Sequence, residues 1–329
     1  MRPSSASLDP RDYIRAAELK PFYRPCPWCV AWRLAADWLM ILGSIAAFGT
    51  VPHPLVFVIA FGIIAARQHA LNNWVHEASH FSIARNKFRN DLISDLFAAT
   101  PHFIATADYR AKHKLHHTDL GHPENDTEIK SRFIIRGWKA WRRGLFSLLG
   151  VSAFLTMRTY GDKMPTSARG QRNGRMRFLV LVATTNAALF AWCWAWGVPF
   201  AWIYLWVLPL VTLTSLLATV RVIAEHQSLD YARDGREQFD EALDPAITRT
   251  IDAGPLAAFF LAPVRFNYHL EHHTWPGVPF TSLPALSRLL RERGFYEANP
   301  QFYGSGYAEV LWKLIKPQSA LELREVAAE

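Results

Sequence analysis

Three short histidine clusters mark this 329-residue chain: His76-Glu77-Ala78-Ser79-His80, His113-Lys114-Leu115-His116-His117 and His269-Leu270-Glu271-His272-His273. They hold eight of its thirteen histidines. Imidazole is the commonest protein ligand for divalent transition metals. The pattern H-x-x-H-H would arise by accident on the order of 0.02 times in such a chain. Residues at i, i+3 and i+4 share one helix face. Each cluster therefore presents a comb of nitrogens to one side: His113, His116 and His117; His269, His272 and His273; His76 and His80. Eight imidazoles are too many for one ion and suit two. His226 is a ninth candidate, because it falls where a long apolar segment ends. Two ions on nitrogen ligands at a membrane surface suit dioxygen activation by iron. Zinc hydrolysis competes, since His76-Glu77-x-x-His80 resembles H-E-x-x-H, but it leaves six histidines unexplained.

The elements that must position these rings are apolar helices. From Phe178 to Val220 there is no charged residue, and Gly197-Val198-Pro199 breaks the run near its middle. A membrane span needs about 20 apolar residues, so two spans are expected, roughly 178–196 and 200–220. A second uncharged run, Trp38 to Ala66, is broken by Val51-Pro52-His53-Pro54. Its first span should start near Ala31, with Arg33 and Asp37 at its edge. Its second should run from Leu55 into Arg67, Gln68, Asn72 and Asn73 and carry the first His cluster beyond the bilayer. Intramembrane polar groups lining a cavity are the alternative.

Neither hairpin turn carries Lys or Arg, whereas the segment from Arg132 to Arg177 is dense in them. The positive-inside rule then sets all three clusters on the cytoplasmic side. The expected fold is an all-α integral membrane protein, with about four transmembrane helices in two hairpins and a cytoplasmic helical cap. One domain is expected: an N-terminal segment 1–30, a first hairpin 31–75, clusters one and two in 76–177, a second hairpin 178–224 and a cap 225–329. No signal peptide is expected from the polar stretch Met1 to Tyr23. The net charge of +8 fits an anionic membrane surface or an acidic partner, and no nucleic-acid motif accompanies it. Cys26 and Cys29 form Cys-Pro-Trp-Cys, which resembles a dithiol redox motif but lies at the edge of the first span without a βαβ context; they are read as incidental thiols, with a redox or metal role as the alternative, and Cys193 as a buried apolar residue.

The three boxes resemble those of the integral-membrane fatty acid desaturase superfamily, which includes acyl desaturases and carotenoid ketolases and hydroxylases. Asn90-Asp91, Tyr109-Arg110 and Asn267-Tyr268-His269-Leu270-Glu271-His272-His273 with Pro276, Pro279 and Leu283-Pro284 are also similar to its patterns. The likeness covers roughly residues 60–290. It implies a non-haem diiron centre, O2 as co-substrate, and two electrons from outside. It also implies ligands His76, His80, His113, His116, His117, His269, His272 and His273, with His226 as an additional one. Glu77 and Glu271 are candidates to orient ligand rings. Asp91, Asp95, Asp108, Asp119 and Asp126 are further candidates, and Asn267 a water-mediated neighbour. His69 is expected to line the channel or bond Asn73. No electron-transfer motif is present, so a separate ferredoxin- or cytochrome-type donor is implied. The leading reading is a desaturase acting on a fatty acyl group at the inner (cytoplasmic) membrane. A hydroxylase or ketolase acting on a carotenoid, sterol or other lipid is the alternative, and a metal-binding transporter a third.

Overall fold

The computed structural model describes residues 7–122, 125–127, 138–154, 172–227 and 248–315. Half of the basic stretch from Arg132 to Arg177 lies outside the described residues. Helix α1 (Pro27–Thr50) and helix α2 (Pro54–Ser79) form the first hairpin. Each starts with proline in its first turn, where the missing N–H costs nothing. The connecting turn is tight because His53 caps α2, its Nδ1 accepting the Leu55 N–H at 3.2 Å. Helix α3 (Lys87–Ser94) and helix α4 (Thr106–Thr118) follow, then helix α5 (Trp138–Leu148).

The second hairpin is helix α6 (Arg172–Ala195) and a broken fourth helix. The fourth begins as a π-helix at Trp202–Val207, continues as one α-turn at Leu208–Val211, breaks at Thr212, and ends as helix α7 (Leu213–His226). Among the described residues, four helices are long and apolar enough to cross a membrane: Pro27–Thr50, Pro54–Ser79, Gly174–Ala195 and Trp202–His226. Helix α2 has 26 residues. At 1.5 Å per residue it outruns a bilayer core of about 30 Å by about two turns, as expected of a helix that carries the first cluster outward.

Both hairpin turns meet at the far end of the bundle. Phe48, Phe57 and Tyr204 cluster there with ring centroids 5.8–5.9 Å apart. A Cβ on Gly49 would stand 2.7 Å from the Trp196 carbonyl oxygen, so only glycine permits this approach. The outward faces are apolar, with Trp32, Leu39, Val58, Trp194 and Phe200 exposed.

The polar end of α2 is neither solvated nor a cavity lining. Arg67, Gln68, His69 and Asn73 are all buried. Arg67 bonds Asp37 at 2.9 Å, and Asp37 also accepts the Trp74 indole N–H at 2.8 Å. Gln68 donates to the Trp206 carbonyl at 2.7 Å. His69 bonds the Phe260 carbonyl rather than Asn73, and Asn73 donates to the Pro263 carbonyl, both at 2.9 Å. Buried polar groups must find partners, and these ones fasten the bundle to the segment that precedes the third cluster.

That segment opens a cap. It contains helix α8 (Pro255–Phe260), helix α9 (His269–Thr274), helix α10 (Leu283–Glu292) and helix α11 (Tyr307–Ile315). Strand β1 (Thr250–Ile251) pairs in parallel with strand β2 (Tyr303–Gly304). Ile14 packs into the core of the cap with Leu286, Leu290 and Phe295.

Candidate metal centre

Four elements deliver the nine expected imidazoles to one place. The end of α2 supplies His76 and His80, α4 supplies His113, His116 and His117, the last residue of α7 is His226, and α9 supplies His269, His272 and His273. Their nitrogens form two groups, each with its ligand atoms within 4.8 Å of one another: His76, His80, His113, His117 and His272; and His116, His226 and His273. His269 adjoins the second, its Nε2 lying 2.7 Å from His226 Nε2 and 3.1 Å from His273 Nε2. The combs read from sequence are divided. The i, i+4 pair His113 and His117 faces one group while His116 turns to the other. In α9 the pair His269 and His273 serves the second group and His272 the first.

This arrangement fits a pair of divalent transition ions. His113 and His117 oppose Nε2 atoms at 2.9 Å, and His117 and His272 at 3.2 Å. Both nitrogens of His76 and Nε2 of His80 are buried without a hydrogen-bond partner. An unsatisfied buried polar atom costs about 1–3 kcal/mol, so lone pairs aimed at one another are explained by a bound cation. Burial favours the neutral form, which is the ligand form, in His80, His113, His117, His269, His272 and His273. It pushes His80 down to about 4, with the Arg110 charge adding to the effect. His113, His269, His272 and His273 are held well below the usual imidazole range by burial and by neighbouring rings.

Carboxylates stand behind the rings. His116 Nδ1 is 2.9 Å from Asp126 Oδ1, and Asp126 accepts the Gly121 N–H at 2.9 Å. Glu225 Oε2 lies 3.6 Å from His269 Nδ1. Glu225 is held by the Tyr307 hydroxyl at 2.6 Å and by Arg221 at 2.8 Å. Glu77 Oε1 is 3.7 Å from His76 Nδ1, and its Oε2 accepts the Phe280 N–H at 3.1 Å. Glu271 departs from expectation: it accepts from the hydroxyls of Thr250 and Tyr296, and so ties α9 into the cap. Asp91 receives Arg110 and Asn90, Asp95 the Thr106 N–H, and Asp119 the Thr118 hydroxyl. Asp108 sits in the first turn of α4. Asn267 donates to the Ile251 carbonyl at 3.0 Å. Tyr296, Tyr307 and Thr250 were not foreseen, because isolated hydroxyl residues 21 to 82 positions from their partners leave no local pattern.

The flanking motifs also acquire a task. Asn90 Nδ2 donates to the Ala78 carbonyl at 2.9 Å, and Arg110 donates to the carbonyls of Ser79 and Ala78 at 3.0 and 2.9 Å. Together they clamp the last turn of α2, where the carbonyls have no helical partner. The Tyr109 ring lies against His113 with centroids 5.4 Å apart. The fatty acid desaturase profile matches residues 50–306, which contain all nine imidazoles and the carboxylates beside them. The chain belongs to the fatty acid desaturase family. Two desaturases are similar to it. Dihydrorhizobitoxine desaturase of Bradyrhizobium elkanii is 28% identical over 250 residues, covering 71% of this chain and 67% of that protein. Sphingolipid delta(4)-desaturase of Candida albicans is 25% identical over 274 residues, covering 78% of this chain and 67% of its own. As a fatty acid desaturase family member, the chain is a desaturase-type, metal-dependent oxidoreductase of multi-pass membrane architecture.

Proposed function

We propose that the protein is a diiron desaturase that introduces a double bond into a fatty acyl chain of a lipid or thioester. One domain would span the membrane, with its active site on the cytoplasmic side of the inner membrane. The observation that carries this reading is the convergence of nine buried or half-buried imidazoles into two adjacent groups in a chain of the desaturase family. His76, His80, His113, His117 and His272 would hold one iron, and His116, His226, His269 and His273 the other. When bound, the iron pair supplies O2 reduction with two external electrons and two protons, so that two hydrogens leave adjacent carbons and two waters form.

The protein's own part is geometry. Asp126 accepts from the Nδ1–H of His116, which aims its Nε2 inward, and the Glu225 carboxylate stands 3.6 Å behind His269 Nδ1. Glu77 stands 3.7 Å from His76 Nδ1, a carboxyl group beside the ring rather than a hydrogen-bond acceptor for it. Helices α2 and α7 run from the apolar bundle directly into the rings, so a chain held along them would place one CH2 beside the centre. Residues 54–66 of α2 and 213–220 of α7 carry no charge, so this part of the path suits an apolar chain and not an ionic headgroup. A separate ferredoxin- or cytochrome-type protein would supply the electrons, docking on the face that carries the cap.

Metal analysis of the purified protein tests the reading first, with about two irons per chain expected. Zinc alone at full occupancy would overturn it. Lipid profiling of an expressing cell then separates the reactions: a new double bond supports desaturation, whereas a gain of oxygen would move the protein to the hydroxylases and ketolases.

A further inference from the structure

Cys26 and Cys29 are not incidental thiols; they are joined by a disulfide. The pair lies at the N-terminus of α1, a helix of 24 residues. Cys26 is the helix N-cap, and its Sγ accepts the Cys29 N–H at 3.3 Å. Unpaired N–H groups and the positive end of the helix dipole stabilise a thiolate there. Lys20, Arg24 and Arg33 are the charged residues between Glu18 and Asp37, which adds to the positive surroundings. The two sulfurs differ in setting. Cys29 packs against the core of the bundle, whereas Cys26 caps the turn outside it, and both are only partly buried. Trp28 between them is 84% exposed, leaving a flat apolar lip beside the sulfurs.

We propose that Cys26-Pro27-Trp28-Cys29 is a redox-active dithiol–disulfide centre that exchanges with an external thiol–disulfide partner. Cys26 is the attacking sulfur and Cys29 the resolving one. In the oxidising direction, the Cys26 thiolate attacks the partner's disulfide, forming a mixed disulfide and releasing one partner thiolate. The Cys29 thiolate then attacks Cys26 Sγ, closing the Cys26–Cys29 bond and releasing the second. Two electrons pass to the partner, and its two thiolates take up the protons that the cysteines gave up. On the cytoplasmic face proposed above, disulfides that form are catalytic or redox-sensing rather than structural. The pair is mechanically linked to the third cluster. Tyr23 rests on Gly277, where a Cβ would approach its ring to 3.1 Å. Arg33 lies 5.5 Å from the Phe280 ring, whose backbone N–H is held by Glu77.

The test uses the full-length protein in membranes, equilibrated with reduced and oxidised glutathione and, separately, with reduced and oxidised dithiothreitol. Samples are acid-quenched and free thiols counted by mass-tagged maleimide. Reversible loss and recovery of two thiols is expected, unchanged in Cys193→Ser. Cys29→Ser should trap glutathione on Cys26 at least about tenfold more than Cys26→Ser traps it on Cys29, following thiolate character. Circular dichroism shows that each variant keeps its helices. Exchange with both reagents supports a small-thiol partner, and exchange with dithiothreitol alone supports a dithiol protein. A pair that never closes, a bond that dithiothreitol cannot open, or equal adducts on the two single variants overturns the proposal.

Discussion

The nine imidazoles differ in what stands behind them, and the cost of changing the support can be separated from the cost of losing a ring. His272 faces His76, His80 and His117 and has no carboxylate partner among the described residues, so its loss subtracts a ligand alone. His272→Ala should abolish product formation and lower iron per chain, read by metal analysis; full activity would refute the assignment. Asp126→Asn and Tyr307→Phe leave every ring in place. Each should cost about 10–100-fold in activity or iron affinity, the usual penalty for losing a partner of a ligand. Unchanged iron binding in both would show that the carboxylates do not orient the rings. At this scale the sequence was informative wherever chemistry is local. Spacing singled out eight of the converging rings and the end of an apolar run the ninth, and the acidic residues inside and beside the clusters were on view. Glu271 was misjudged because its position next to His272 says nothing of its direction. Tyr296 and Tyr307 were invisible because only the folded cap brings them near.

The helices can be tested through the joints between them. Asp37 and Arg67 form a buried ion pair between α1 and α2, with side chains only 7% and 8% exposed. Removing one partner strands the other, a change worth about 3–5 kcal/mol. Asp37→Ala should therefore lower the thermal unfolding midpoint in detergent markedly, while Asp37→Leu combined with Arg67→Met should recover most of it. If the single variant unfolds like the parent, the pair holds nothing. At the far end, Gly49→Ala would drive a methyl group into the Trp196 backbone. Overpacking of this kind costs about 1–3 kcal/mol, and an unchanged midpoint would mean the hairpins stand apart in the membrane. Span existence was legible because uncharged runs are long. The fates of Arg67, Gln68, His69 and Asn73 were not, since hydropathy sees a polar residue and cannot see the backbone carbonyl waiting for it. The break at Thr212 was equally hidden, as no glycine marks it.

Across the whole molecule, two hairpins place four helix ends together and leave both turns at the opposite end. Single cysteines introduced at His53 and Gly197 should react with an impermeant maleimide from one side of sealed vesicles, and one at Glu309 only from the other. Labelling of all three from the same side would dismantle the proposed topology. Closure of the hydrogen-bonded cap over the rings has a consequence for how the protein comes into being. Glu225 is held by Tyr307, Glu77 by the backbone of Phe280, and Glu271 by Thr250 and Tyr296. A ribosome makes these partners last, after all four membrane helices have been synthesised. The rings of α2 and α4 therefore wait, open, through most of translation, and the pocket can discriminate among metals only once the final helix has docked. Metal selection in this protein is a late event in its biogenesis, taken by a chain that is already in its membrane.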